Sequence, residues 1–341
     1  MRSIIIFLLS AAFGWSQSDN SEMRYSVSLT DEGEFAAGLR VPGADTGNLL
    51  LLEPTFAYKS SDFWRFSTSL AAVTTTQGET QSQLRVRETY FGIDAGDLDL
   101  TIGKRLLRWG TGYAFTVTGI LDPPRNPTDP TDRLNLNEGR EMATADWVSG
   151  RNDVTVAWAS AGLFGKRQPG MLDTAAIRYN VLVDGFDTSV IVAHEGSSTF
   201  SGANFTRVFG EAVELHGEFG WSDTTGAGAL IGGKYTTRSG VTAIAEFYTP
   251  ASAERQQYGF VRVGKSRLRE RPGWKEWDVT LSLVTNLGDG SRIAVLDAGR
   301  RFGKHFYAYT HTESPSGKRN ASEFGAIPYS ALASIGVTFQ L

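Results

Sequence analysis

The last eight residues, Ser334-Ile335-Gly336-Val337-Thr338-Phe339-Gln340-Leu341, alternate between small or polar side chains and apolar ones. Successive side chains of a β-strand point to opposite faces, so one face of this segment is wholly apolar and the other is polar or glycine. The pattern therefore predicts a strand that meets an apolar medium on one side and a polar medium on the other.

The same two-residue alternation recurs along most of the chain, between clusters of turn-forming residues. Val154, Val156 and Trp158, for example, alternate with polar or small residues, as do Val279, Leu281 and Leu283. Only a closed barrel lets strands cross lipid with every backbone group paired and one face on hydrocarbon. We therefore predict an all-β transmembrane antiparallel β-barrel of about 18 strands, with 16 as the alternative.

A soluble β-sandwich or propeller is the alternative reading of these strands. It does not explain why tight turns fall at one end of the predicted barrel and longer polar loops at the other, which is typical of bacterial barrels. Tyr and Trp also cluster near the predicted strand ends, as an interfacial girdle requires. Both observations favour the membrane barrel.

The domain organisation follows from the N-terminus. Residues 1–16 combine a positive charge, a short apolar run and small residues, which predicts a signal peptide for export. Residues 17–32 are expected to be a periplasmic lead-in segment or the start of the first strand, and residues 33–341 form the barrel. The chain has no Cys, so no disulfide is expected. Its net charge is -4 and it lacks the basic patch that a nucleic-acid-binding protein would have, so no nucleic-acid partner is predicted.

One strand breaks the alternation. In the segment from Leu84 to Asp94, Glu88 falls on the same face as Leu84 and Val86. A carboxylate on the lipid face is unfavourable, so we predict either a β-bulge in this strand or a position at the level of the lipid headgroups.

A long break, residues 106–140, interrupts the strands after the fifth one. It contains four of the 11 prolines of the chain, and proline cannot donate a hydrogen bond to a strand ladder. A structureless connection of this length is usually functional or disordered, and its aromatic and aliphatic content argues against disorder. We predict that it folds into the lumen as a constriction loop, with a plug or a surface cap as the alternatives.

With this break and its terminal strand, the chain resembles the Gram-negative outer-membrane porins, whose third extracellular loop narrows the lumen. Leu341 departs from the Phe that usually ends a porin. The resemblance implies a location in the Gram-negative outer membrane and passive diffusion of small hydrophilic solutes or ions. It also implies contact with outer-membrane lipid and, as an arrangement to be tested, a homotrimer. No cofactor or metal site is expected, and no enzymatic activity.

Strand alternation and the loop together define candidate pore-lining and constriction residues. Charged side chains are unfavourable on the lipid face, so the alternation turns them inward. The predicted set is Arg65, Arg85, Arg87, Arg108, Trp109, Tyr113, Asp122, Arg125, Asp129, Asp132, Arg133, Glu138, Arg140, Arg178, Arg262 and Arg292. Loop acids opposite wall arginines would create a transverse field that screens solutes by charge.

Two other functions remain open from the sequence. A plugged barrel would serve an envelope-binding or assembly role and would conduct no ions. An outer-membrane hydrolase would need a His beside a nucleophile and an orienting group, and the chain has four His residues, His194, His216, His305 and His311. Their spacing alone identifies no such site.

Overall fold

The computed structural model of the chain describes residues 21–38, 46–60, 63–164, 171–252, 256–265, 277–319 and 321–341. The predicted signal peptide lies outside these residues. Among the described residues, no helix is long and apolar enough to cross a membrane. In the described ranges the regular structure is almost wholly β-strand, with one short 3-10 helix, η1, at Phe324–Ala326.

Eighteen strands follow one another along the described chain. They are β1 (Glu22–Ala37), β2 (Thr46–Lys59), β3 (Trp64–Gln77), β4 (Glu79–Ala95), β5 (Leu98–Arg105), β6 (Arg140–Ser149), β7 (Asn152–Ser160), β8 (Thr174–Val183), β9 (Phe186–Glu195), β10 (Ser198–Phe209), β11 (Val213–Ser222), β12 (Gly226–Thr236), β13 (Val241–Thr249), β14 (Tyr258–Lys265), β15 (Trp277–Asn286), β16 (Arg292–Phe302), β17 (Phe306–Ser316) and β18 (Ala331–Gln340).

The strands form one closed antiparallel sheet. Each strand pairs with its neighbours in sequence, and β1 closes the sheet by pairing with β18, from Ser28 opposite Gln340 to Ala37 opposite Ala331. Closure leaves no free sheet edge along this seam. The predicted 18-stranded barrel is confirmed. Residues 22–32, which we expected to be a lead-in or the start of the first strand, belong to β1.

The predicted lipid face is the exposed face of the barrel. Val156, Trp158 and Leu281 are exposed, and so are Ile335 and Val337 of the terminal strand. Inward residues of the same strands, such as Ala157 and Ser334, are buried. Hydrocarbon and lumen are thus separated by the two-residue alternation of each strand, as the sequence predicted.

The two ends of the barrel differ. We call the end at which β1 begins and β18 ends the turn end, and the opposite end the loop end. The expectation that every tight turn lies at the turn end is wrong, because Gly78 alone joins β3 to β4 and residues 196–197 join β9 to β10 at the loop end. Gly78 and Gly196 have positive φ angles, which permit such short reversals. At the turn end, β14 ends at Lys265 and β15 begins at Trp277, so these two strands are not joined by a tight turn.

The predicted bulge is confirmed in β4. Ser69 of β3 pairs with Glu88, but the next residue, Leu70, pairs with Val86, so Arg87 is the extra residue of the bulge. Leu84 points outward on one side of the bulge, whereas beyond it Glu88 points inward and accepts a hydrogen bond from the backbone N–H of Leu106. The bulge removes the carboxylate from the lipid face.

The assignment of faces predicts how a new charge affects stability. Replacing the outward Leu281 by Lys places an ammonium in hydrocarbon, and we expect a loss of about 2–4 kcal/mol of folding free energy. The matched control is Thr280→Lys, where the new ammonium lies inside the barrel beside Asp297 of the paired strand. Denaturant titrations in lipid vesicles measure both values, and equal losses would contradict the assignment.

Candidate functional site

The segment between β5 and β6, residues 106–139, which we call the lumen loop, folds into the barrel and packs against three parts of the wall. Its Trp109 and Leu121 join an apolar cluster with Ile191 of β9. Its Phe115 joins a second cluster, with Phe260 of β14. Its Leu134 and Leu136 pack on a third, which contains Leu51, Ala71 and Val73 of β2 and β3. The predicted inward loop is confirmed, and it spans the lumen.

Glu218 of β11 is the main polar anchor of the lumen loop. Only 4% of this residue is exposed. Its carboxylate accepts hydrogen bonds from the backbone N–H groups of Thr111 at 2.6 Å, Gly112 at 2.8 Å, Val117 at 2.6 Å and Thr118 at 2.7 Å. The hydroxyls of Thr116 and Thr118 also donate to it. Because buried N–H groups are costly when unpaired, this carboxylate fixes the loop conformation.

A second anchor, Glu246 of β13, holds the next residues of the loop. It accepts the backbone N–H groups of Tyr113 and, at 2.9 Å, of Ala114. The Nε2 atom of His216 in β11 lies 3.0 Å from the same carboxylate. The two strands are not neighbours, and the contact crosses Gly232 of β12. A Cβ atom at Gly232 would lie 2.4 Å from that Nε2 atom, so only glycine leaves room for the contact.

The same arrangement, a contact between next-nearest strands across a glycine, recurs on the inner wall. The hydroxyl of Tyr309 in β17 donates to Glu32 of β1 at 2.6 Å, across Gly336 of β18. Arg65 of β3 donates to Asp99 of β5 at 2.7 Å, across Gly92 of β4. These glycines allow long polar side chains to lie flat on the wall.

Asp122 and Arg125 bind the lumen loop to itself. Asp122 accepts the backbone N–H of Trp109 at 2.6 Å, and its side chain is fully buried. Arg125 pairs with Asp122 at 3.1 Å and donates to the carbonyl oxygens of Gly110 and Gly112. Burial raises the pKa of the Asp122 carboxyl above its usual value, against the opposing effect of the Trp109 and Gly110 N–H groups and Arg125. Both side chains shape the loop from within.

The far end of the lumen loop is held by Arg133. Its guanidinium forms an ion pair with Glu32 and lies 4.9 Å from the ring centre of Tyr309. Asp129 accepts the backbone N–H of Arg133, and Asp132, at a positive φ angle, accepts those of Leu136 and Asn137. The two aspartates therefore organise turns, and Arg133 attaches the turns to the wall.

Of the predicted arginines on the wall, Arg65 forms the ion pair with Asp99 described above, and three others pair with acids around the loop. Arg87 lies 3.7 Å from Glu53 and donates to the carbonyl of Asn137. Arg140, the first residue of β6, donates to the carbonyl of Ile120 at 3.3 Å and lies 3.5 Å from Glu195. Arg178 pairs with Asp153 at 3.2 Å and lies 6.0 Å from the ring centre of Trp109.

The remaining predicted residues are divided between the lumen and other surfaces. Tyr113 donates to Glu214 at 2.9 Å and accepts from Lys234 at 3.1 Å. Arg262 lies on the inner face near Asp129 and Asp297. Arg108 is exposed. Arg85 and Glu138 lie 3.9 Å apart at the rim.

Arg292 lies elsewhere than we expected. Its neighbours Ile293 and Val295 are buried inside the barrel, and Leu296, on the face of Arg292, is exposed. Arg292 is therefore at the outward face of β16, next to the loop end. The first residue of a strand has little surrounding alternation to define its face, which is why the sequence misplaced it.

The sequence missed several residues that hold the loop. Glu246 and Glu32 carry inward carboxylates, and Asn204 of β10 donates to the carbonyl of Trp109 at 2.8 Å. A signal for them exists, since each is a polar side chain at an inward position of an alternating strand. A second inward segment, at Phe324 and Ile327 between β17 and β18, packs on the cluster around Phe115 and was not predicted either.

The structure defines the contacts of His311 and His194, two of the His residues that a hydrolase site would need. His311 has Nδ1 at 2.6 Å from Asp297 and Nε2 at 3.2 Å from Glu313, so both ring nitrogens contact carboxylates and neither is directed at a hydroxyl. His194 is exposed, with Nδ1 at 3.4 Å from the Thr199 hydroxyl. Within the described ranges, no group of three or more acidic, His or Cys side chains is placed to hold a metal ion.

No family model matches the chain, and no curated protein matches it. Solved structures do. The outer membrane protein OpdK from Pseudomonas aeruginosa has a TM-score of 0.64 at 8% identity, covering 94% of this chain and 98% of that one. A BenF-like porin from Pseudomonas fluorescens Pf-5 has a TM-score of 0.63 at 7% identity, with coverages of 94% and 98%. OpdQ from Pseudomonas aeruginosa has a TM-score of 0.61 at 9% identity, with coverages of 94% and 99%.

At these identities the similarity shows the fold. The chain has the β-barrel fold of outer-membrane porins, as the resemblance in its sequence implied.

The anchor on Glu218 predicts the dynamics of the lumen loop. In Glu218→Ala the N–H groups of Thr111, Gly112, Val117 and Thr118 lose their acceptor, and we expect their hydrogen exchange to accelerate at least tenfold. We also expect a loss of about 3 kcal/mol or more of folding free energy. Mass-resolved hydrogen exchange of peptides from residues 107–121 measures the first effect. Glu211→Ala, in an exposed turn, is the matched control, and unchanged exchange in Glu218→Ala would disprove the anchor.

Proposed function

We propose that this protein is an outer-membrane porin-like channel for passive diffusion of small hydrophilic solutes or ions, narrowed by the lumen loop. The observation that carries the proposal is the exposure of charged side chains on the inner wall beside a firmly anchored loop. Lys234, Asp297 and Asp99 have side chains that are 33%, 34% and 34% exposed. Inside a barrel whose outer face is apolar, such exposure requires space for water.

The anchors support a constriction of fixed width. Glu218 and Glu246 fix residues 111–118 against one side of the wall, and Arg133 fixes the other end against β1. A loop held at both ends leaves an aperture that is set by structure rather than by fluctuation. Solutes are then selected by size at the loop.

Charge preference is assigned to the wall rather than to the loop. The carboxylate oxygens of Asp122 and Asp132 accept hydrogen bonds from backbone N–H groups of the loop itself, so these two residues add little to an electric field across the lumen. The wall charges carry both signs. Lys234 and Arg262 are cations and Glu214 and Asp297 are acids, and of these Lys234 and Asp297 have side chains that are 33% and 34% exposed. Such a lining favours small polar solutes and allows a modest ionic bias.

A plugged barrel with an envelope-binding role is the second candidate. It is favoured by the three apolar contacts of the lumen loop and by the additional inward segment at Phe324. A hydrolase has no comparable support, because His311 is already engaged by two carboxylates.

We propose that the protein lies in the Gram-negative outer membrane, with lipid against Val156, Leu281 and their outward neighbours. A homotrimer is an arrangement that we propose to test by the mass of the purified protein in detergent. We propose no enzymatic activity and no cofactor.

Releasing the loop tests the channel. Glu218→Ala combined with Glu246→Ala removes both anchors on one wall, and we expect faster swelling of proteoliposomes in disaccharide, a solute that the native aperture slows. Glu211→Ala should swell like the unaltered protein. If the unaltered protein admits no monosaccharide and swelling appears only in the Glu218→Ala/Glu246→Ala variant, the result supports the plug. Identical swelling of the unaltered protein and both variants would overturn the constriction.

The wall charges predict ion selectivity. Lys234→Gln removes an exposed lumenal cation, so the reversal potential in a salt gradient should shift toward cation preference. Lys304→Gln, at a turn outside the lumen, should leave the potential unchanged. If neither variant moves the reversal potential, Lys234 does not line the conducting path.

A further inference from the structure

The barrel wall has a step between β4 and β5. β4 has 17 residues and β5 has 8, and the two strands pair only from Thr89 opposite Lys104 to Ala95 opposite Leu98. Within residues 63–164, all of which the structure describes, the part of β4 toward the loop end, residues 79–88, pairs with β3 but has no strand on its other side. An unpaired strand edge near lipid is unfavourable unless other groups cover it.

The lumen loop covers only part of this edge. The backbone N–H of Gly139 donates to the carbonyl of Arg87 at 2.8 Å, and the N–H of Leu106 donates to the Glu88 carboxylate. On the loop-end side of these bonds, the step leaves a cavity of about 1030 Å³. This volume is slightly above the range typical of small-molecule sites.

The cavity is amphipathic. Its outward wall is made of lipid-face side chains, namely Phe66, Leu84, Val86, Phe91 and Ile102. Leu84 is 68% exposed, so this side of the cavity opens toward the surrounding lipid. From residue 83 to residue 91, the lining follows β4 for roughly 26 Å at about 3.3 Å per residue, which is the shape of a slot for a chain.

The polar end of the cavity carries more donors than the local carboxylate satisfies. Lys104 forms an ion pair with Glu138, and Arg85 lies 3.9 Å from the same carboxylate while donating to Gln83 at 3.1 Å. Glu141 also lines the cavity, but its carboxylate accepts the backbone N–H of Phe164. Two cations therefore share Glu138, and the Arg85 side chain remains 31% exposed.

We propose that this cavity binds an anionic amphiphile, an acyl chain with a carboxylate or phosphate head, entering from the lipid side of the wall. The head lies at Arg85 and Lys104, where it completes the charge that Glu138 leaves unbalanced. The chain lies along Val86, Phe91 and Ile102. Binding there does not require that the barrel conducts.

Spin-labelled amphiphiles test the site directly. The full chain is reconstituted in phosphatidylcholine nanodiscs, and the immobilised fraction of doxyl-stearate is measured by electron paramagnetic resonance. We expect saturable binding that weakens at least tenfold in Arg85→Met/Lys104→Met and in Val86→Trp, which fills the slot. The methyl ester of the same probe should also bind at least tenfold more weakly.

Two matched control variants separate loss of the site from misfolding and from nonspecific partitioning of the probe into lipid. Arg207→Met removes an outward arginine that lies over Phe186, and Ile231→Trp enlarges an outward side chain on β12. Both should bind like the unaltered protein, and heat-modifiable gel mobility verifies that every variant is folded.

A parallel titration with doxyl-phosphatidylglycerol identifies the source of the head. Saturable binding of the lipid, lost in the same variants, assigns the site to a membrane lipid, whereas binding of stearate alone assigns it to a free fatty carboxylate. Binding of neither probe, equal binding of the methyl ester, or full binding by Arg85→Met/Lys104→Met overturns the proposal.

Discussion

One buried carboxylate, that of Glu218, accepts four backbone N–H groups of a loop that would otherwise have to satisfy them in a crowded lumen. A turn with three threonines, from Thr111 to Thr118, is wrapped around this single acceptor. The apolar contacts of Trp109 and Phe115 on either side then follow, because the loop conformation directs these rings to opposite parts of the wall. Hydrogen bonds to a buried carboxylate fix the loop conformation, and apolar packing of Trp109 and Phe115 holds the loop against the wall.

The wall is adapted to this arrangement through glycine. Gly232, Gly336 and Gly92 each lie beneath a polar contact between next-nearest strands, so His216, Tyr309 and Arg65 can lie flat on the wall. Flat side chains enlarge the free lumen and leave fewer charges projecting into it. A solute in the lumen would therefore meet fewer charged groups than the number of inward ionisable residues suggests. Lys234 and Asp297 remain exposed, so they are expected to dominate the electrostatic effect of the wall on a solute.

Much of the fold could be predicted from the sequence, because strand alternation is local. The terminal strand, the strand count, the bulge beside Glu88 and the inward loop all follow from period, proline and turn residues. The partners of the loop could not be predicted, since the contact of Thr111 with Glu218 depends on barrel closure and register across distant strands. Asp122 and Arg125 were expected in the pore but satisfy one another within the loop, and a sequence does not distinguish these two uses of a charge.

In the channel that we propose, the anchored loop narrows a water-filled path without closing it. The most direct measurement is the single-channel conductance of the purified, unaltered protein in a planar lipid bilayer. We expect stable, ohmic openings with a reversal potential that reports a modest ionic preference. A folded barrel that stays electrically silent over the full voltage range would contradict it, and would identify the loop as a plug.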